Sequence, residues 1–177
     1  MQLKKLVLSL ILLVAFYNGA LAADSYENAV SKWTSHEDVA NWLENNFSFE
    51  KSRQKQIGKR LKQQGPSGLL IRNPAKLYEE NNRGYCADSA NFALTSLNKI
   101  DPAYNARWVF IKNDKGRPNH WVTAFDHEGK LYIMDFGTGK KWEKMQGVHG
   151  PYESLDDYHN FLASLNLPNF KVGEVFF

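Results

Sequence analysis

The chain has 177 residues, of which 43% are hydrophobic, 14% aromatic and 23% charged. Those proportions fit one globular domain with a buried core and exclude a disordered tail, a collagen-like repeat and a disulfide-stapled miniprotein. With 22 Lys and Arg against 19 Asp and Glu the chain is only mildly basic, so charge nominates no nucleic-acid partner.

Lys4 and Lys5, a nearly unbroken apolar run from Leu6 to Tyr17, and Ala20-Leu21-Ala22 form the three-part pattern of a secretory signal peptide cleaved after Ala22. The apolar run is about a dozen residues, short of the roughly 20 a spanning helix needs. The expectation is therefore an exported protein, periplasmic or secreted. Removal of residues 1–22 leaves a domain over 23–177 with no integral membrane segment.

Residues 23–34 show little periodicity and read as a loose lead-in. Ser35 with Asp38 forms a capping box, and Val39, Trp42, Leu43 and Phe47 follow at helical spacing, which predicts a helix over 36–46. A second helix over 50–64 turns Ile57 and Leu61 inward and ends at Gly65-Pro66. It carries Lys51, Arg53, Lys55, Lys59, Arg60 and Lys62, a run that reads as a solvated face because no aromatics interleave for base stacking. Asn73-Pro74 caps a short helix to 81. From Cys86, the residues Ala90, Ala93, Leu94, Leu97 and Ile100 mark one face of a helix that stops before Pro102.

The character then changes. Trp108–Ile111, His120–Phe125 and Leu131–Phe136 are β-branched and aromatic runs separated by the turns Asn113–Gly116 and Asp126–Gly129. Ser154 with Asp157 opens a last helix, and Val172–Phe177 reads as a closing strand. Helices first and strands later predict an α+β domain built on an antiparallel sheet.

Cys86 is the only cysteine, so no intramolecular disulfide can form. In an exported chain an odd thiol pairs with another chain or stays free for chemistry, unless it is simply a small buried hydrophobe. Its place at a loop-to-helix junction favours thiolate over thiol, because the unpaired N–H groups there carry positive potential. Such a nucleophile needs a base and an orienting group. Of His36, His120, His127, His149 and His159, only His120 opens a strand, and Asp135 sits in the otherwise apolar next run. A buried acid calls for a partner. Taken singly, His120 reads as a core-capping residue and Asp135 as the start of the Phe136–Gly139 turn. Together with Cys86 they read as nucleophile, base and orienter. A four-residue Asp126–Gly129 loop would set His120 opposite Asp135 on one face of the hairpin. A three-residue loop would put them on opposite faces.

The stretches Arg83-Gly84-Tyr85-Cys86-Ala87-Asp88-Ser89-Ala90, Asn119-His120-Trp121-Val122 and Tyr132-Ile133-Met134-Asp135 resemble the Cys, His, Asp series of bacterial transglutaminase-like cysteine peptidases. The resemblance spans roughly residues 70–140. It implies a papain-like core, with Cys86 on a central helix packed against the antiparallel sheet that bears His120 and Asp135. It implies acyl transfer at a protein or peptide amide through a thioester, most simply as a cysteine peptidase. Deamidation or crosslinking of glutamine uses the same triad, and a non-catalytic envelope binding module is the rival on the same scaffold. The oxyanion would rest on the Cys86 N–H and a second donor, for which Asn82 and Tyr78 are candidates. No cofactor or metal is expected: Tyr85 stands where calcium-binding relatives carry an acid, and no metal-ligand motif occurs. The sequence leaves the oligomeric state open.

Overall fold

The computed structural model describes residues 24–177, so the signal-peptide reading of 1–22 lies outside the described residues. In chain order the elements are α1 (Tyr26–Val30), α2 (His36–Asn46), β1 (Ser48–Phe49), α3 (Lys51–Gln64), α4 (Pro74–Glu79), β2 (Arg83–Gly84), α5 (Cys86–Ile100), β3 (Arg107–Asn113), β4 (His120–His127), β5 (Lys130–Asp135), β6 (Gly147–Tyr152), α6 (Leu155–Ser164) and β7 (Val172–Phe176). The class is α+β. Five antiparallel strands lie in the order β6-β5-β4-β3-β7, and β1 and β2 form a short parallel pair beside them.

Local signals account for most helix limits. The capping boxes Ser35/Asp38 and Ser154/Asp157 open α2 and α6, and the Asn73 side chain accepts the Ala75 N–H at the head of α4. Residues 24–34 differ from the expected loose lead-in. α1 buries Tyr26, Ala29 and Val30, and the Tyr26 ring packs on Phe92 at 5.6 Å while its hydroxyl bonds Ser96 at 3.0 Å. A helix this short has too few residues for a visible period; its stability comes from the aromatic contacts it makes in the tertiary structure. β6 is another element the sequence hides, as are the two-residue strands β1 and β2, because Gly147, Gly150 and Pro151 interrupt β6 and only an edge position tolerates them.

Two cores sandwich the sheet. Phe125, Met134 and Phe136 face the helical layer, where they join Leu43, Phe92 and Leu97. Val109, Val122, Ala124 and Ile133 face α6 through Tyr158 and Leu162. A third, smaller cluster of Ile57, Tyr85, Cys86 and Ala87 ties α3 to the head of α5. That cluster is where the site lies.

The β4–β5 turn also departs from expectation. His127 pairs with Lys130 and Phe125 with Tyr132, so the loop is the two residues Glu128 and Gly129. Both have positive φ, 52° and 73°, the conformation that right-twisted hairpins favour. The pairing is displaced two residues from the four-residue reading. A shift of two preserves the face of every side chain, whereas a shift of one would exchange them. His120 and Asp135 thus remain on one face, in diagonal rather than direct opposition.

Candidate active site

Cys86 occupies the first helical position of α5, behind Tyr85 in extended conformation. Its N–H belongs to the first turn, which has no partner inside the helix. The head of this helix is tied down by Asp88, fully buried, which accepts from the Tyr85 N–H (3.1 Å), the Arg72 N–H (2.7 Å) and the Arg53 guanidinium at Nε (2.5 Å) and Nη2 (3.0 Å). A buried carboxylate is tolerable only when paired and hydrogen-bonded in this way. Arg53 therefore does not belong to the solvated basic face the sequence suggested. It reaches inward from α3, 35 residues away in the chain, and it holds the helix that Cys86 heads.

Two further contacts fix Cys86 relative to the sheet. The buried Thr123 hydroxyl of β4 donates to the Ala90 carbonyl of α5 at 2.6 Å. Gly137, two residues past Asp135, passes so close to the helix that a β-carbon there would stand 3.0 Å from Cys86 Cβ and 3.1 Å from the Cys86 carbonyl oxygen. Sequence reasoning treated Gly137 as part of a turn and missed this role. The glycine itself was the available signal. Gly84 serves close packing too: a β-carbon there would lie 2.8 Å from Asp88 Cβ.

His120 begins β4 and Asp135 ends β5, and each is 2% exposed. The structure brings them together, with His120 Nε2 at 2.6 Å from Asp135 Oδ2. The second carboxylate oxygen, Oδ1, accepts the Gly137 N–H at 3.0 Å, so both oxygens are engaged. Burial opposes a charge on the imidazole, but the Asp135 carboxylate and the Cys86 thiol outweigh it and push His120 up to about 10. Neutral His120 that donates through Nε2 keeps Nδ1 as a proton acceptor. In its charged form it is a cation acting on the Cys86 sulfur.

His36, His127 and His149 make their contacts elsewhere. His36 and His127 stand 4.6 Å apart among Tyr104, Phe125 and Tyr132, and His149 bonds the Met145 carbonyl at 2.7 Å. Tyr78, a candidate oxyanion donor, stacks on Trp42 at 5.1 Å, and the Asn82 carbonyl accepts the Ser48 N–H. Neither lines the grooves onto which Cys86 and His120 open, whereas Gln54 of α3 lines both. Among the described residues, no group of three or more His, Cys, Asp or Glu is placed to hold a metal ion.

A cysteine at a helix start, acting on an imidazole that a buried carboxylate holds, can form and break an acyl-thioester. No curated protein matches the sequence. Residues 20–140, more than half of the chain, match the model of a family described as a transglutaminase-like domain. The chain therefore belongs to the transglutaminase-like family, and that membership supports a cysteine hydrolase or acyltransferase of the papain-like superfamily.

Proposed function

We propose that the protein is an exported cysteine peptidase acting on protein or peptide amides, with Cys86 as nucleophile, His120 as general acid–base and Asp135 as the group that orients the imidazole. The observation that carries the reading is the buried 2.6 Å contact between His120 and Asp135, on a ring that Cys86 also acts on. The thiolate attacks the amide carbonyl carbon, and His120 gives its proton to the departing amine nitrogen as the C–N bond breaks. Water then adds to the thioester, His120 takes its proton, and the C–S bond breaks to release the acid and restore the thiolate. The tetrahedral oxyanion rests on the Cys86 backbone N–H, with the Gln54 amide as the second donor. The apolar run and Ala20-Leu21-Ala22 at the N-terminus support export to the periplasm or beyond.

The deciding experiment is the pH dependence of Cys86 alkylation by iodoacetamide, in the wild type beside His120→Ala. An ordinary thiol loses reactivity below about pH 8.5, while a histidine-paired thiolate remains fast near pH 6. Fast alkylation near pH 6 that disappears in His120→Ala is the expected result. Ordinary thiol behaviour in both proteins overturns the catalytic reading in favour of a binding module. With the thiol active, product masses separate main-chain cleavage from side-chain deamidation or attachment of an added amine.

A further inference from the structure

Cys86 and His120 open onto two different grooves that meet at Gln54, Arg117 and Pro118. The groove holding Cys86, of about 460 Å³, is apolar. Ile57 and Leu61 of α3 line it from one side, Phe110, Trp121 and Phe176 of the sheet from another, and Leu69 lines it too. The aromatic wall is continuous, with Trp121 on Phe110 at 4.6 Å and Phe110 on Phe176 at 5.2 Å. Phe176 remains 48% exposed, which leaves apolar surface uncovered beside the thiol.

The groove holding His120, of about 860 Å³, has the opposite character. Lys51, Lys115, Arg117, Lys140 and Lys141 converge on it from α3, the β3–β4 loop and the segment after β5, and no Asp or Glu lines it. All five are exposed, and among the described residues none of them makes an ion pair. Trp142, at 6.1 Å from the His120 ring, walls it on one side and is held by its indole N–H on the Pro168 carbonyl. A cleft lined with one sign of charge attracts the opposite sign and raises its local concentration.

The chemistry gives the two grooves different roles. The acyl half of a substrate stays bonded to Cys86, in the apolar groove, while the amine half receives its proton from His120, in the cationic groove. We infer that the substrate of this site is a peptide or protein segment with a bulky apolar side chain on the acyl side of the reacting amide and acidic residues on its amine side. The inference rests on the cysteine peptidase reading and adds the substrate class to it. Trp142, Lys141, Phe176 and the whole of β7 lie beyond the segment that matches the family, so this preference belongs in part to this chain's own C-terminal segment.

The test uses four matched peptides, with Phe or Ser on the acyl side and Asp-Glu or Lys-Arg on the amine side. Each is scored by how far it slows iodoacetamide alkylation of Cys86 in initial rates, which registers binding whether or not cleavage follows. The Phe/Asp-Glu peptide is expected to halve the rate at a concentration about tenfold below that of either half-matched peptide. Lys140→Glu with Lys141→Glu removes the acidic preference, as does raising salt from about 0.05 to about 0.5 M. Equal protection by all four, best protection by the Lys-Arg peptides, or no protection while Cys86 still reacts fast near pH 6 overturns the inference and spares the catalytic reading. Slow alkylation near pH 6 in wild type and His120→Ala alike overturns the catalytic reading, and the inference with it.

Discussion

Gly137→Ala is the sharpest test of how Cys86 is held. Gly137 lies outside the left-handed region, so space is what opposes alanine there. The added β-carbon would lie inside van der Waals contact of Cys86 Cα and 3.0 Å from its Cβ, and helix backbone cannot swing aside as a flexible side chain can. Carbon atoms settle at about 3.5–4.0 Å, so relief requires a movement on the order of 1 Å between α5 and the segment after β5. Overpacking of this kind costs about 1–3 kcal/mol of stability. The same movement separates Cys86 from His120, because Gly137 N–H also holds the Asp135 carboxylate. A misplacement of about 1 Å in a catalytic group is worth on the order of 100-fold in rate. The assay pairs urea unfolding with the iodoacetamide rate near pH 6. Expected are a protein that still folds, destabilised by about 1–3 kcal/mol, and a thiol slowed by one to two orders of magnitude. Wild-type stability and wild-type reactivity together would show that α5 and the segment after β5 do not constrain each other there.

Other perturbations read other contacts. Arg53→Met strands the buried Asp88 carboxylate, and urea unfolding should show a loss of about 3–5 kcal/mol; a loss under about 1 kcal/mol contradicts the buried pairing. His120, raised to about 10 against an unfolded value near 6.5, binds its proton more tightly when folded. Its contribution is full below about pH 6.5 and is lost as pH rises through about 10, so the wild type's stability margin over His120→Gln should shrink across that window. His36 is shifted the other way, lowered first by burial and then by His127. Its contribution is present above about pH 6.5 and falls as pH drops below it, so His36→Phe should flatten the acid limb of a stability–pH curve. Gln54→Ala should lower kcat on a cleaved peptide with little change in KM, as for the loss of one oxyanion donor; an unchanged kcat assigns that donor elsewhere.

Whatever the sequence announced correctly was announced by neighbours along the chain. The capping boxes at Ser35 and Ser154, the Asn73-Pro74 pair and the 3.6-residue period after Cys86 each act within one or two turns, so they mark α2, α6, α4 and α5 close to their ends. The α+β class follows from the order of those local signals. The residues proposed for chemistry were legible because a lone cysteine at a helix start, a histidine at a strand start and an acid in an apolar strand are each anomalous locally. Tertiary structure decided what local signals do not carry. The Glu128-Gly129 turn lacks the Asn or Asp that usually marks a two-residue hairpin, and pairing along β4 and β5 placed it. α1 exists because Tyr26 finds Phe92 and Ser96, some 70 residues away. Arg53 looked like one more solvated cation until Asp88 required a partner, and Gly137 looked like a turn residue until Cys86 lay against it. Periodicity and caps are energies between residues a few positions apart, whereas buried ion pairs, close backbone approaches and groove walls are energies between surfaces that only folding brings together.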